Sequence, residues 1–114
     1  MKIIIGDLAK KGLDDIFYYN MQYSLKNAIN TDLAITEHIK TLADAPYIGR
    51  YIPEISDKHF REIIYRKNRK SGYRIMYYIR DSIDIIHVFN IINCKQDFNS
   101  ILTIHNYFKN YFEL

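Results

Sequence analysis

The apolar positions of this chain change period along its length. Residues 2–6 hold the run Ile3-Ile4-Ile5 closed by Gly6, which predicts a short buried strand. From residue 7 the spacing becomes helical. Ala9, Leu13, Ile16, Phe17 and Asn20 fall on one side and Asp14 and Asp15 on the other. Asp7 is placed to cap this helix, and Gly12 to weaken its first turns. Tyr18, Tyr19 and Tyr23 widen its aromatic surface. Ser24 reads as the N-cap of a second helix over 25–43, whose Ala28, Ile35, Ile39 and Leu42 make one stripe. Two helices with so short a joint predict an antiparallel hairpin. Pro46 stops the second helix, and the stretch around Pro46, Gly49 and Pro53 predicts a connecting loop.

After the loop the period is two. Phe60, Glu62 and Ile64 alternate with Arg61, Ile63 and Tyr65. Residues 67–72, with Asn68, Ser71 and Gly72, predict a hairpin loop. Tyr73, Ile75, Tyr77 and Ile79 then alternate with Arg74, Met76, Tyr78 and Arg80. A turn at 80–82 leads into 83–92, a β-branched run expected to be the most buried strand. Three strands joined by short turns make an antiparallel meander. Asp97 is placed to cap a last helix over 97–112, with Ile101, Leu102, Ile104, His105 and Phe108 inward. The order strand, helix, helix, three strands, helix predicts an α+β fold, with the N-terminal strand and helical hairpin packed on the meander and a C-terminal helix. The other face of the sheet is expected to be covered by the last helix or a partner, or left as a concave working surface.

A length of 114 residues suits a single domain over 1–114. A hydrophobic fraction of 48% and a charged fraction of 25% are those of an ordinary globular chain. The single cysteine, Cys94, excludes an intramolecular disulfide and suits a reducing compartment. No apolar run is long enough for a membrane span, and the apolar start is too short for a signal peptide. A cytoplasmic location and no membrane partner are expected. The formal charge is +3, but residues 46–80 carry +6 while the segments before and after carry −1 and −2. Positive charge concentrated in one block favours an anionic partner such as nucleic acid or an acidic protein segment; a solvated basic hairpin face is the bland alternative.

The four glycines are scattered and form no phosphate-cradling loop, and the four histidines are isolated, so neither cofactor nor metal is expected. The informative feature is arginine inside strands. Arg61, Arg74 and Arg80 interrupt apolar runs, and Arg66, Lys67, Arg69 and Lys70 crowd the hairpin loop. Fixed guanidinium groups on a sheet bind phosphate bidentately and can stabilise charge developing in phosphoryl transfer. Arg74 shares its face with Met76 and Tyr78, a partly apolar setting in which a guanidinium needs an anion. Glu54, Glu62 on the neighbouring strand, a partner protein and a substrate phosphate are the candidates.

The ordered series Ala9…Leu13-Asp14-Asp15-Ile16…Tyr19, Ala28, Ile39…Leu42, Pro46-Tyr47-Ile48-Gly49-Arg50, Pro53-Glu54, Arg61-Glu62-Ile63, Tyr73-Arg74-Ile75-Met76-Tyr77 and Ile85-Ile86-His87-Val88 resembles the RelE/ParE superfamily of bacterial toxins. The resemblance spans about 7–97, and the series is more specific than any one motif in it. It implies a type II toxin–antitoxin toxin neutralised by a cognate antitoxin, and the +6 charge of residues 46–80 predicts that this partner presents an acidic, partly disordered segment. A homodimer or a heterotetramer with the antitoxin is the expected assembly. RelE-like members cut ribosome-bound mRNA; ParE-like members poison DNA gyrase. Arg74 matches a position that RelE-like nucleases use on the cleaved phosphate. The family's His-Gly-Arg-Arg-Asp type segment is matched here by Asn93-Cys94-Lys95-Gln96-Asp97, and asparagine cannot replace histidine as a general acid or base. The resemblance therefore implies a ParE-like plasmid-stabilisation toxin. The first alternative is a nuclease in which Arg61, Arg74 and Lys95 hold the phosphate while a tyrosine or Glu54 moves protons. The second is a decayed toxin kept for antitoxin and operator binding. Arg50, Arg66, Lys67, Arg69 and Lys70 are the candidates for target or nucleic-acid contact.

Overall fold

The computed structural model describes residues 1–95. Their elements are β1 (Lys2–Ile5), α1 (Asp7–Met21), α2 (Leu25–Lys40), β2 (Arg50–Tyr51), β3 (Phe60–Arg66), β4 (Gly72–Arg80) and β5 (Ile85–Asn93). A 3₁₀ turn over Thr41–Ala43 extends α2, and a second over Asp81–Ile83 joins β4 to β5. The helix expected over 97–112 lies outside the described residues.

The five strands form one sheet in the order β1-β5-β4-β3-β2. The meander is present, with β3, β4 and β5 antiparallel, and β1 adds to β5 in parallel, so the sheet is mixed. β2, expected as loop, pairs two residues with β3, Arg50 with Glu62 and Tyr51 with Arg61. The most buried strand is β4 rather than β5: eight consecutive residues, Gly72 to Ile79, are buried, because β4 is the central strand of the five and is packed on both faces.

The α1–α2 hairpin lies on one face of the sheet. Ala9, Leu13 and Ile16 of α1 and Ile35, Ile39 and Leu42 at the end of the hairpin meet Tyr73, Ile75, Tyr77 and Ile79 of β4 and Ile86, Val88 and Ile91 of β5. Thr31 is also buried and fills the stripe between Ala28 and Ile35. Ser24 does cap α2, its Oγ accepting from the amide of Asn27 at 3.2 Å. Asp7 does not cap α1. Gly6 holds that place without a side-chain bond, and Asp7 sits in the first turn, where its charge suits the helix dipole.

On the other face Phe60, Met76, Tyr78 and Phe89 pack with Ile52 and Ile55, so the 52–59 loop folds back over the sheet and covers part of it. Pairing jumps from Met76↔Asn90 to Tyr77↔Val88, leaving Phe89 as the extra residue of a bulge. The bulge resets the alternation of β5. Ile86, Val88 and Ile91 therefore face the helices, while Phe89 and Ile92 face away.

Candidate functional site

The register of β3 and β4 decides which basic residues can act together. Ile64 opposes Arg74 and Glu62 opposes Met76, so Glu62 and Arg74 share the face away from the helices. Arg61 opposes Tyr77 and points to the helix side. Two of the three expected phosphate ligands, Arg61 and Arg74, are thus separated by the sheet, and no single phosphate reaches both.

Arg74 is 6% exposed and Glu62 1%. Arg74 Nε donates to Glu62 Oε1 at 2.7 Å. Its Nη1 and Nη2 donate to Glu54 Oε2 and Oε1 at 2.8 and 2.6 Å, a bidentate pair. The second oxygen of Glu62 accepts from Arg50 Nε and Nη2 at 2.7 and 2.6 Å. Two arginines and two carboxylates therefore form a neutral chain, Arg50–Glu62–Arg74–Glu54, across β2, β3, β4 and the 52–59 loop. Hydrogen bonds from Arg74 hold the Glu54 carboxyl below the usual carboxylate range, against the opposing effect of burial. The Glu54 bond, partly opposed by burial, raises the already high pKa of Arg74. Arg50, Pro53, Glu54, Ile64, Arg66, Arg74 and Cys94 line a cavity of about 240 Å³ above this chain.

Arg61 is held in a different way. Its guanidinium carbon lies 4.6 Å from the Tyr51 ring centre and 5.0 Å from that of Tyr47. Its Nη1 donates to Gly49 O at 3.0 Å, and its buried Nε has no hydrogen-bond partner among the described residues. Tyr77 braces the same loop, its hydroxyl donating to Pro46 O at 2.7 Å and accepting from the Gly49 amide at 3.0 Å. Burial raises the Tyr77 phenol above its ordinary value, which keeps it a neutral donor.

Lys95 is exposed in the turn after β5, where its amide donates to Asn93 Oδ1 at 2.9 Å. Lys67, expected to face a target, donates to Asn20 Oδ1 at 2.7 Å. Asn20 is 3% exposed and also donates to Ile16 O at 2.8 Å. Lys67 thereby ties the β3–β4 tip to the last turn of α1, whose carbonyl end welcomes a cation. Arg66, Arg69 and Lys70 are exposed. Among the described residues no cluster of His, Cys, Asp and Glu has the form of a metal site, and no helix is long and apolar enough to cross a membrane.

Two half-buried titrating groups make the fold sensitive to acid. His87 is held below its ordinary value of 6.5 by burial and by Arg80. As pH falls through 6.5, the unfolded chain gains a proton that the folded chain resists. Glu54, lowered from 4.5, contributes stability that is present above pH 4.5 and lost as pH falls further. The urea midpoint is expected to be flat above neutrality and to fall in two stages, with His87→Gln removing only the first. A midpoint that stays level to pH 4 would contradict the His87 assignment, and the absence of any further fall below pH 4.5 would contradict that of Glu54.

The family profile described as "ParE toxin of type II toxin-antitoxin system, parDE" matches residues 3–98. The chain belongs to this family. It is the toxin component of a type II toxin–antitoxin system. Two solved structures share the fold of this ParE-family toxin. The chromosomal ParDE toxin–antitoxin system from P. aeruginosa superposes with a TM-score of 0.62 at 17% identity, over 81% of this chain and 94% of that one. The intact E. coli RelBE toxin–antitoxin complex superposes with a TM-score of 0.57 at 15% identity, over 83% and 98%. No curated protein matches the sequence. The RelE/ParE resemblance read from the residues is thus the family, and the sheet with its helical hairpin is the family's fold.

Proposed function

We propose that this ParE-family toxin arrests growth by binding a protein target, DNA gyrase, and does not cut mRNA. The observation that carries this reading is the state of Arg74. A phosphodiester cleaver needs an uncommitted cation at the scissile phosphate and groups that give and take protons. Arg74 is spent on two carboxylates, and those carboxylates would repel a phosphate brought to the same place. Glu54, the candidate proton carrier, is held ionised in the bidentate pair and is a poor general acid. Arg61 lies on the other face.

The surface supports a protein partner for regulation as well. Tyr18, Tyr23, Leu25 and Leu33 of the hairpin are each more than half exposed, an apolar patch that a monomer rarely leaves bare. In this reading the antitoxin covers that patch with the apolar anchors that set affinity, and its acidic segment answers cations of the basic middle block outside residues 66–71, charge setting the on-rate. The test is a supercoiling assay with purified gyrase, relaxed plasmid and the toxin. Loss of supercoiling, reversed by antitoxin, is expected. Full supercoiling at saturating toxin, with cleavage of mRNA on translating ribosomes, would overturn the proposal.

A further inference from the structure

The β3–β4 tip places Arg66, Lys67, Arg69 and Lys70 within residues 66–71, which contain no acidic residue and no apolar one. The tip is built rather than loose. Asn68 Oδ1 accepts from the amides of Lys70 and Ser71 at 2.9 and 2.8 Å. The amides of Lys67 and Asn68 donate to Ser71 O at 3.0 and 3.2 Å. Lys67 is anchored on Asn20. Arg66, Arg69 and Lys70 remain, exposed and outside every ion pair of the described residues. Glu54 and Glu62, the carboxylates of the neighbouring Arg74 chain, are already spent on Arg74 and Arg50.

We propose that this tip is a contact site for the phosphodiester backbone of duplex nucleic acid. Three cations on a rigid, carboxylate-free turn give phosphate contacts without base readout. An acidic protein segment would need apolar anchors beside the charges, and residues 66–71 offer none. A single strand would need exposed rings on which to stack its bases. The flanking rings, Tyr65 and Tyr73, instead stack on each other at 6.5 Å and 9°, with Tyr73 4% exposed. Arg66 also lines the cavity above the Arg74 chain, while Arg69 and Lys70 do not, and the site does not depend on the identity of the toxin's target.

The test is the salt dependence of binding of the full chain to a short duplex of mixed sequence. The variant carries Arg66→Gln, Arg69→Gln and Lys70→Gln. The control carries Lys2→Gln, Lys10→Gln and Lys26→Gln, which removes the same charge from exposed positions elsewhere. Between about 50 and 200 mM salt, the tip variant is expected to flatten the slope of log K against log salt by about 2–3, roughly 0.9 per lost phosphate contact. The control should keep the parent slope, and both variants the parent melting temperature. An unchanged slope in the tip variant would overturn the proposal, as would equal flattening in the control. Lost affinity for an acidic peptide with duplex binding intact would also overturn it.

Discussion

Arg74→Ala is expected to destabilise the toxin by about 3–5 kcal/mol, the usual cost of removing one member of a buried ion pair. The change strips Glu54 of both its hydrogen bonds from Arg74 and Glu62 of one. Glu62 has no side-chain exposure and keeps only Arg50, while Glu54, partly exposed, can recover some hydration. A urea midpoint shifted well below the parent's, at similar m-value, is the expected result. The companion variant Arg74→Ala with Glu54→Gln should be less damaged than Arg74→Ala alone, since one stranded charge is removed. An Arg74→Ala protein as stable as the parent would mean that the buried pairs contribute nothing. If that protein also lost toxicity, Arg74 would belong to the working surface.

Gly12→Ala is the second large effect, and its sign opposes helix propensity. In an exposed helix interior the change gains about 1 kcal/mol. Here a Cβ on Gly12 would come 2.2 Å from the carbonyl oxygen of Ile91, with Ile91 C at 3.2 Å. Backbone on both sides cannot step aside as a side chain can, so α1 must lift from β5. A net loss of about 1–3 kcal/mol is expected, the range for overpacking a filled interface. A rise in melting temperature would show that α1 does not lie this close to the sheet. The glycine is thus a packing residue, not the weak point of the helix that its sequence position suggests.

Much of the fold was legible because the two periods are clean. Ala9, Leu13 and Ile16 at helical spacing, and Tyr73, Ile75, Tyr77 and Ile79 at strand spacing, are the residues that meet in the main core. The partners of Arg74 were also within reach, since a short hairpin loop places Glu62 on the adjacent strand and on the same face. The separation of Arg61 from Arg74 follows from the same register. Arg66 opposite Gly72 puts Arg61 opposite Tyr77. Grouping the three cations by charge alone ignored that parity. β5 was harder to read because the bulge at Phe89 breaks its alternation. β2 has two residues, too few for any period. The bond between Lys67 and Asn20 joins residues 47 positions apart, and its one local sign was a polar side chain on the apolar line of α1.

In the proposed function Arg74, neutralised by Glu54 and Glu62, makes this a toxin that works by binding and leaves RNA intact. Mapping mRNA 5′ ends across cells arrested by the toxin, with plasmid topology read from the same culture, tests it most directly. Altered plasmid topology, with the same mRNA ends as in unarrested cells, is expected. New ends within translated codons, appearing at the onset of arrest while topology stays normal, would contradict it.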